Sequence, residues 1–177
     1  MKKGGGKQKG SAFEREICRL LSIWLTDGKD DRIAWRSSSS GGTATIRNRK
    51  GSSKFGQTQS GDIVKISDAG EYPNADWFFN HFTIEAKCYK EISFYPPFNK
   101  TLLSFFEQAN RQSVESGGKV PILLMKANNR KILFFVKGLP GAENSLSIHD
   151  ALGDYWGCYV WDTISFDTFR LAITLYT

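Results

Sequence analysis

The segment at residues 83–88, Thr-Ile-Glu-Ala-Lys-Cys, constrains the fold more than any other because its residue types alternate with a period of two. A β-strand directs successive side chains to opposite faces of its sheet. On a strand, Ile84 and Ala86 would therefore pack on the core, while Glu85 and Lys87 would share the other face. The segment thus predicts a strand that is apolar on one side and carries an acid and a base on the other.

A second acid, Asp62, stands at the head of another short apolar run, Ile63-Val64. Two neighbouring carboxylates repel each other, and a divalent cation between them keeps both ionised. Carboxylate oxygens hold Mg²⁺ while leaving it several waters and room for a substrate phosphate, which suits phosphodiester hydrolysis. A nearby lysine can orient or deprotonate the attacking water. A Glu-x-Lys pair on an exposed strand is also commonly only a solvated surface, so this interpretation depends on the other motifs.

Length and composition favour one globular domain. The chain has 177 residues, of which 40% are apolar and 14% aromatic, and this length suffices to bury a sizeable core. No run of about 18 or more apolar residues is present, so no membrane span is predicted. The first residues are basic and glycine-rich, with no apolar stretch behind them, which is unlike a secretory signal.

Cysteine and histidine usage narrows the class further. The odd cysteine count, Cys18, Cys88 and Cys158, without close spacing, predicts reduced thiols in a cytoplasm. Only two histidines are present, which excludes a zinc cluster. No Walker pattern is found, so no nucleotide cofactor is expected.

Charge is distributed unevenly along the chain, whose net charge is +6. Residues 1–60 contain 13 Lys/Arg and 5 Asp/Glu, whereas residues 61–177 contain 11 and 13. We interpret residues 1–10 as a flexible basic tail and residues 11–177 as a single domain with a long basic loop at about residues 40–60. Basic sequence beside an acidic site predicts a polyanionic substrate, with a merely soluble basic surface as the alternative. The loop residues expected to contact phosphates are Arg47, Arg49, Lys50 and Lys54.

A helix is predicted over about residues 12–25, where apolar residues recur at helical spacing. Ser11 fits an N-cap, and Glu14 completes a capping box three residues later. Capping alone would explain a glutamate at this position, so Glu14 needs no other function on this pattern.

Strands and further helices follow along the chain. The strand at residues 32–36 would place Ile33 and Trp35 on one side. The aromatic run at 77–82 is interpreted as core or as the start of a strand, and His81 within it as a candidate base or a packing residue. The other predicted elements are strands at 62–66, 120–125 and 131–137, a helix at 102–116, and strands or an irregular layer at 158–161 and 164–169.

In chain order, several motifs resemble those of archaeal-type Holliday junction resolvases and their phage relatives, within the PD-(D/E)xK nuclease superfamily. They are the helix opening at residues 9–16, Trp35-Arg36-Ser37, Asp62-Ile63-Val64, Ile84-Glu85-Ala86-Lys87, and Gly117-Gly118 before a hydrophobic strand ending in Lys126. The resemblance covers roughly residues 9–137. It departs in the long loop between Ser40 and Asp62 and in the segment after residue 137, and both departures bear on substrate choice.

The resemblance implies an α/β fold with a restriction-endonuclease-like core, in which helices flank a central mixed β-sheet. It implies a catalytic set of Glu14, Asp62, Glu85 and Lys87, whose three acids bind Mg²⁺, or Mn²⁺ as its substitute. Gln108, on a later helix, is a candidate accessory residue. The DNA contacts implied near the first strand are Arg36 and a serine of the run that includes Ser37, Ser39 and Ser40.

The predicted function is a metal-dependent DNA endonuclease, structure-specific on branched DNA, in the cytoplasm of a bacterial or phage-infected cell. Another PD-(D/E)xK nuclease of repair or end processing, and a non-catalytic nucleic-acid-binding protein of the same fold, remain open as alternatives. Symmetric cutting of a four-way junction needs two catalytic sets, so a homodimer is predicted. Its interface is placed in residues 151–170, unless the aromatics there cover the domain's own sheet; they are Tyr155, Trp156, Tyr159 and Trp161.

Overall fold

The computed structural model describes residues 5–37, 61–66, 72–91, 100–139, 147–150 and 153–176. Within these residues a five-stranded mixed sheet is flanked by helices, which confirms the predicted α/β fold with a restriction-endonuclease-like core. The helices are α1 (Gly5–Leu25), α2 (Pro73–His81), α3 (Lys100–Glu115), a 3₁₀ helix (Trp161–Thr163) and α4 (Phe166–Tyr176). The strands are β1 (Ala34–Arg36), β2 (Ile63–Lys65), β3 (Phe82–Tyr89), β4 (Val120–Ala127), β5 (Ile132–Lys137), β6 (Ser147–His149) and β7 (Tyr155–Val160). No described helix is both long and apolar enough to cross a membrane.

The main sheet has the strand order β3-β4-β5-β7-β6, so β3 lies at one edge. β3 runs parallel to β4, and the other neighbouring strands are antiparallel. β1 and β2 form a separate antiparallel pair. The residue just before β2, Asp62, donates its backbone N–H to Ile84 O of β3 at 2.8 Å, so this pair lies beside the free edge of β3.

Two apolar clusters, one on each face of the main sheet, hold the helices against it. In the first, Ile17 and Leu21 of α1 are fully buried together with Ile84 of β3. In the second, α3 supplies Phe106, whose ring centroid lies 4.6 Å from that of Trp156. Burial of each such side chain contributes roughly 1.5–3 kcal/mol. β3 is therefore clamped between α1 and α3, and its side chains must alternate between the two layers.

Helix α1 is longer than predicted. It begins at Gly5, and Ser11 lies inside it, so the predicted N-cap at Ser11 and its capping box are wrong. Residues 5–10, predicted as part of a flexible basic tail, are helical, while residues 1–4 lie outside the described residues. Extending an anchored helix adds one hydrogen bond per residue, and the buried stripe of α1 supplies the anchor. Glu14 is consequently a mid-helix residue whose position capping does not explain.

The prediction of a strand or irregular layer at residues 164–169 is also wrong, because α4 begins at Phe166. Ser165 Oγ accepts the backbone N–H three residues later at 3.2 Å and so caps this helix. Phe169 and Ile173, four residues apart, are both buried on one helix face. The aromatic and β-branched content of the segment favoured a strand, but its apolar spacing is that of a helix.

The aromatics of β7 and the 3₁₀ helix belong to the chain's own core. Trp156, Tyr159 and Trp161 have exposed fractions of 7% or less. A side chain buried within one chain cannot also cover a partner, so the predicted dimer interface through these three residues is wrong. The alternative, in which they cover the domain's own sheet, is confirmed. A homodimer stays a prediction.

The aromatic run at residues 77–82 lies mostly in a helix. α2 extends to His81 and has a proline in its first turn, where the missing N–H costs no helical hydrogen bond. Phe78 and Phe79 are buried, which confirms the core interpretation. The prediction of a strand start there is wrong except at Phe82, where β3 begins.

Trp35 lies on the outside of β1. Its side chain is 59% exposed, whereas that of Ile33 is buried, so the prediction that they share one side is wrong. The physical reason is that β1 begins only at Ala34. Ile33 precedes the strand and does not follow its alternation.

Candidate active site

Strand β3 carries the acid and the base that the sequence pattern singled out. Lys87 Nζ forms an ion pair with Glu85 Oε1, and the two side chains lie on one face of the strand, as predicted. Glu85 is fully buried, whereas the Lys87 side chain is 21% exposed. The Lys87 ammonium lies 5.7 Å from the centroid of the Phe105 ring of α3, whose face attracts a cation. The lysine thus reaches from a buried acid toward solvent.

Asp62 is fixed to the free edge of β3 by backbone hydrogen bonds. Its N–H donates to Ile84 O at 2.8 Å, and its Oδ2 accepts the N–H of Ala86 at 3.0 Å. Ser37 N–H donates to Asp62 O at 2.8 Å from the other side. The carboxylate therefore lies next to Glu85, although Glu85 is in β3 and Asp62 directly precedes β2.

Gly61 makes this close approach possible. Its φ is +97°, in the left-handed region that favours glycine. A Cβ atom on Gly61 would lie 2.8 Å from Ile84 O, closer than a real side chain tolerates. The residue before Asp62 must therefore be a glycine if Asp62 is to keep its place against β3.

The Glu85 carboxylate lies in an environment that opposes its charge. Burial, and then the neighbouring Asp62 carboxylate, raise the pKa of Glu85 from its ordinary value of 4.5 to about 7, against the opposing effect of Lys87. The Oε2 atom of Glu85 is buried and has no hydrogen-bond partner among the described residues. Most buried polar atoms have such a partner, so an exception at a carboxylate needs a physical reason. A cation held between Asp62 and Glu85 would satisfy Oε2 and lower the pKa of Glu85.

Helix α3 contributes Gln108 to the same carboxylate. Gln108 Nε2 donates to Glu85 Oε1 at 2.7 Å, so this oxygen is shared between Gln108 and Lys87. Because both partners bind Oε1, neither satisfies Oε2. The structure thus places a predicted accessory residue in direct contact with the acid, and its part in the chemistry stays a prediction.

Glu14 and Arg36 contact each other rather than standing apart. Arg36 Nε pairs with Glu14 Oε2, and the side chains are only 26% and 12% exposed. The described residues contain no group of three or more His, Cys, Asp or Glu side chains placed to hold a metal ion. Glu14 is therefore not gathered with Asp62 and Glu85 into a three-acid site. Metal binding by Glu14 and DNA binding by Arg36 stay predictions.

A cleft of about 400 Å³ opens over the acids, between the N-terminal half of α1 and helix α3. It follows β3 from Ala86 to the end of the strand. Glu85 lies beneath its floor, because that side chain is fully buried. The cleft therefore gives a ligand access to Asp62 and Lys87, which both adjoin the buried Glu85. Its lining includes Gly10, Glu14, Asp62, Lys87, Tyr89 and Gln108.

Other predicted site residues lie elsewhere. Ser37 is buried, with an exposed fraction of 4%, and supports Asp62 through its main chain; its DNA contact stays a prediction. His81 bonds through Nδ1 to Trp77 O at 2.7 Å, and the two rings lie 5.0 Å apart, which is a packing arrangement outside the cleft. Six predicted DNA contacts lie outside the described residues: Ser39, Ser40, Arg47, Arg49, Lys50 and Lys54.

Several cleft residues were not predicted as site residues, and a signal for Tyr89 and Gly61 was present in the sequence. Tyr89 lies two residues after Lys87, so the alternation of Glu85 and Lys87 along β3 was the signal that could have found it. Gly61 stands directly before an acid at a strand start, which is a position where close backbone approach is common.

One comparison with known proteins gives a match. A family model described as "Phage putative PDDEXK endonuclease" matches residues 5–173. The matched region contains the two acids, the lysine and the whole of the cleft lining named above. No curated protein and no solved structure matches the chain.

Proposed function

Because the chain belongs to the phage putative PDDEXK endonuclease family, we propose that it is a metal-dependent DNA endonuclease that hydrolyses phosphodiester bonds in branched DNA. The observation that carries this proposal is the state of the Glu85 carboxylate. One oxygen is bound by Lys87 and Gln108, while Oε2 is buried without a hydrogen-bond partner among the described residues. A buried carboxylate in this state is neutralised by a proton or by a cation, and a cation held by Asp62 and Glu85 would neutralise both acids.

The donor set fits Mg²⁺, with Mn²⁺ as a substitute. Mg²⁺ is commonly held by one or two carboxylates, with waters and substrate phosphates completing its shell. Asp62 and Glu85 supply two, so Mg²⁺ does not require that Glu14, which lines the same cleft, also be a ligand. When bound, the ion would polarise a phosphoryl oxygen and lower the pKa of a coordinated water.

Lys87 has the geometry to assist the attacking water. Its ammonium has three N–H donors, of which Glu85 Oε1 accepts one. Lys87 lines the cleft, so its remaining donors are available to a water or a phosphoryl oxygen that binds there. Lys87 therefore orients the nucleophile and offsets charge that develops on the phosphate. Gln108 keeps Glu85 in place by binding the same oxygen as the lysine.

The substrate is polyanionic, as the distribution of charge indicates. Residues 1–60 contain 13 Lys/Arg against 5 Asp/Glu, and they include α1, which borders the cleft. Phosphate contacts of this kind give affinity without sequence preference. Action on branched rather than linear duplex DNA, as in Holliday junction resolvases, is the more specific part of the proposal. We expect this action in the cytoplasm of the infected bacterium.

A resolvase-like reaction also requires a homodimer, because two matched cuts need two catalytic sets related by a two-fold axis. Light scattering at micromolar protein, with and without four-way junction DNA, measures the mass. A dimer in either state supports paired cutting. A monomer in both states would instead favour a nuclease that makes single cuts.

The direct test is cleavage of labelled four-way junction, flap, single-stranded and linear duplex DNA in Mg²⁺. We expect cuts in the branched substrates, none in EDTA, and none with Glu85→Gln. Glu115→Gln makes the same chemical change at an exposed position at the end of α3, and it should cleave like the wild type. Cutting confined to the ends of linear duplex would indicate an end-processing nuclease. Binding of all four DNAs without any cut would indicate a non-catalytic binding protein.

A further inference from the structure

Tyr89 ends β3 and continues the row of side chains that contains Glu85 and Lys87. Residues two apart on a strand face the same way, and Tyr89 lines the cleft together with Lys87. The Tyr89 side chain is 44% exposed, so it contributes little to the core. A large ring that faces a polar cleft beside an acid–lysine pair points to a ligand with a flat apolar face.

Phe105 holds the Tyr89 ring in place. The two ring centroids lie 5.2 Å apart at an interplanar angle of 59°, and Phe105 itself is 6% exposed. The Lys87 ammonium lies 5.7 Å from the centroid of the same Phe105 ring. One buried ring therefore supports both side chains and sets the distance between them. The exposed face of Tyr89 is in this way pre-organised relative to the lysine.

The main chain of β3 offers a phosphate contact next to this ring. Ile84 O and Ala86 N–H both face Asp62 across the free edge of the strand. Main-chain groups of a strand repeat every two residues, so the N–H of Cys88 faces the same edge, and Cys88 lines the cleft. Backbone N–H groups are common phosphate donors. A nucleic-acid strand along this edge would meet a phosphate donor and an aromatic face one residue apart.

We propose that Tyr89 stacks on an unpaired base of the strand being cut and so directs cleavage to sites where a nucleotide lies outside the duplex. This inference rests on the proposed nuclease function, since it places the base two residues along β3 from Lys87. The cleft of about 400 Å³ lies at the small end of ligand pockets, about 300–1,000 Å³, which suits one nucleotide rather than a base pair. Every base has a stackable face, so the ring selects DNA structure and not sequence.

The test uses flap DNA whose first unpaired nucleotide is 5-iododeoxyuridine, which crosslinks on irradiation to an aromatic ring stacked on it. EDTA is present, so that no cleavage intervenes, and mass spectrometry locates the crosslink. We expect it at Tyr89, retained at that position in Tyr89→Phe and lost in Tyr89→Ala. Tyr89→Ala should also bind the flap roughly 5- to 100-fold more weakly, as loss of one stacked base implies. Its binding of linear duplex should not change.

Trp35→Ala is the matched control, because Trp35 is an exposed aromatic, at 59%, that does not line the cleft. This variant should keep the Tyr89 crosslink and the flap affinity. With Mg²⁺, Tyr89→Ala should lose the preference for flap over duplex. A crosslink at another residue, or an unchanged preference in Tyr89→Ala, would overturn the inference while leaving the nuclease assignment standing. A Tyr89 crosslink without any cleavage in Mg²⁺ would support the base contact and overturn the nuclease assignment.

Discussion

Glu85 and Asp150 are the two acids that are buried in the described part of the chain, and their surroundings differ. Asp150 Oδ2 accepts from Asn110 Nδ2 at 2.9 Å and from Trp156 Nε1 at 3.1 Å, and Oδ1 accepts the N–H of Asp154 at 3.1 Å. Both Asp150 oxygens are thus satisfied. Only one oxygen of Glu85 has partners among the described residues.

The difference teaches how a structural acid can be told from a functional one. A buried charge that serves the fold needs hydrogen bonds to all its acceptor atoms, since an unmet one is costly. Asp150 meets this requirement and ties α3 to β7 through Asn110 and Trp156. Glu85 does not meet it, and a second acid, Asp62, lies beside it. Burial with one oxygen that lacks a partner among the described residues is the state we expect of a carboxylate that binds a metal ion.

The largest expected effect concerns catalysis. Asp62→Ala should lower the cleavage rate at least about 10³-fold, as removal of a central catalytic group does. Asp150→Asn should leave the rate per folded molecule unchanged, because Asp150 and its partners Asn110 and Trp156 do not line the cleft. Initial rates on labelled flap DNA measure both. DNA binding by Asp62→Ala in EDTA should be equal or tighter, since negative charge facing the phosphate is lost. Full activity of Asp62→Ala would contradict a catalytic site at Asp62 and Glu85, and Glu85 would then no longer differ in function from Asp150.

The second effect concerns stability, and here the change at Asp150 should cost more than the change at Glu85. Asp150→Asn turns an acceptor into a donor against Asn110, Trp156 or Asp154, and should lower the free energy of unfolding by about 3 kcal/mol. Glu85→Gln keeps the shape of a side chain with an unsatisfied oxygen and should not destabilise the metal-free protein. Urea unfolding in EDTA at neutral pH compares the two variants. If Glu85→Gln lowered the free energy of unfolding more than Asp150→Asn does, Glu85 and not Asp150 would be the structural acid.

The third effect is a pH dependence of the metal-free protein. The pKa of Glu85 rises from 4.5 in its ordinary state to about 7 in the fold, so the folded state holds the proton more tightly than the unfolded state. The stability that this gives is complete below about pH 4.5 and is lost as the pH rises through about 7. Between about pH 5.5 and pH 8 the wild type should lose about 2 kcal/mol relative to Glu85→Gln. Urea unfolding of both proteins in EDTA at the two pH values measures it, and parallel pH profiles would contradict it.

The smallest effect compares two amide side chains of one helix, α3. Gln108 and Asn110 of α3 each donate an amide to a buried acid, Gln108 to Glu85 and Asn110 to Asp150. Gln108→Ala should weaken Mn²⁺ affinity roughly 10-fold, as loss of an outer-shell partner does, with little change in stability. Asn110→Ala should leave Mn²⁺ affinity unchanged and lower the free energy of unfolding by about 1 kcal/mol. Calorimetric titration measures the Mn²⁺ affinity, and urea unfolding measures the stability. If both variants changed these two quantities equally, Gln108 and Asn110 would not have the separate functions described here.

The acids and the lysine of the site could be predicted because their signal is local. The alternation along β3 depends only on strand geometry, and it correctly placed Glu85 and Lys87 on one face. Strands β4 and β5 were also predicted from local sequence, because their apolar runs require burial. Helix α1 was predicted from its apolar stripe but not from its start, since the Ser11 capping pattern also fits a residue inside a helix.

The remaining features depend on contacts between distant segments. Complete burial of Glu85 follows from the packing of α3 on β3, which no local pattern reports. The pairing of Glu14 with Arg36 joins α1 to the end of β1, 22 residues apart in the chain. Tryptophans such as Trp156 and Trp161 are common both in interfaces and in cores, and only the order of the strands in the sheet shows that these two lie in the core. Tertiary packing thus overrode local preference at each of these positions.

The most direct test of the central claim is Mn²⁺ binding at about pH 8, without DNA, followed by electron paramagnetic resonance of the free ion. The wild type and Asp150→Asn should bind one or more ions with the same affinity, because Asp150 lies in a satisfied hydrogen-bond network. Glu85→Gln should lose this binding, because Glu85 Oε2 is the oxygen that lacks a partner among the described residues. Equal Mn²⁺ affinity in the wild type and Glu85→Gln would contradict a metal site at Asp62 and Glu85.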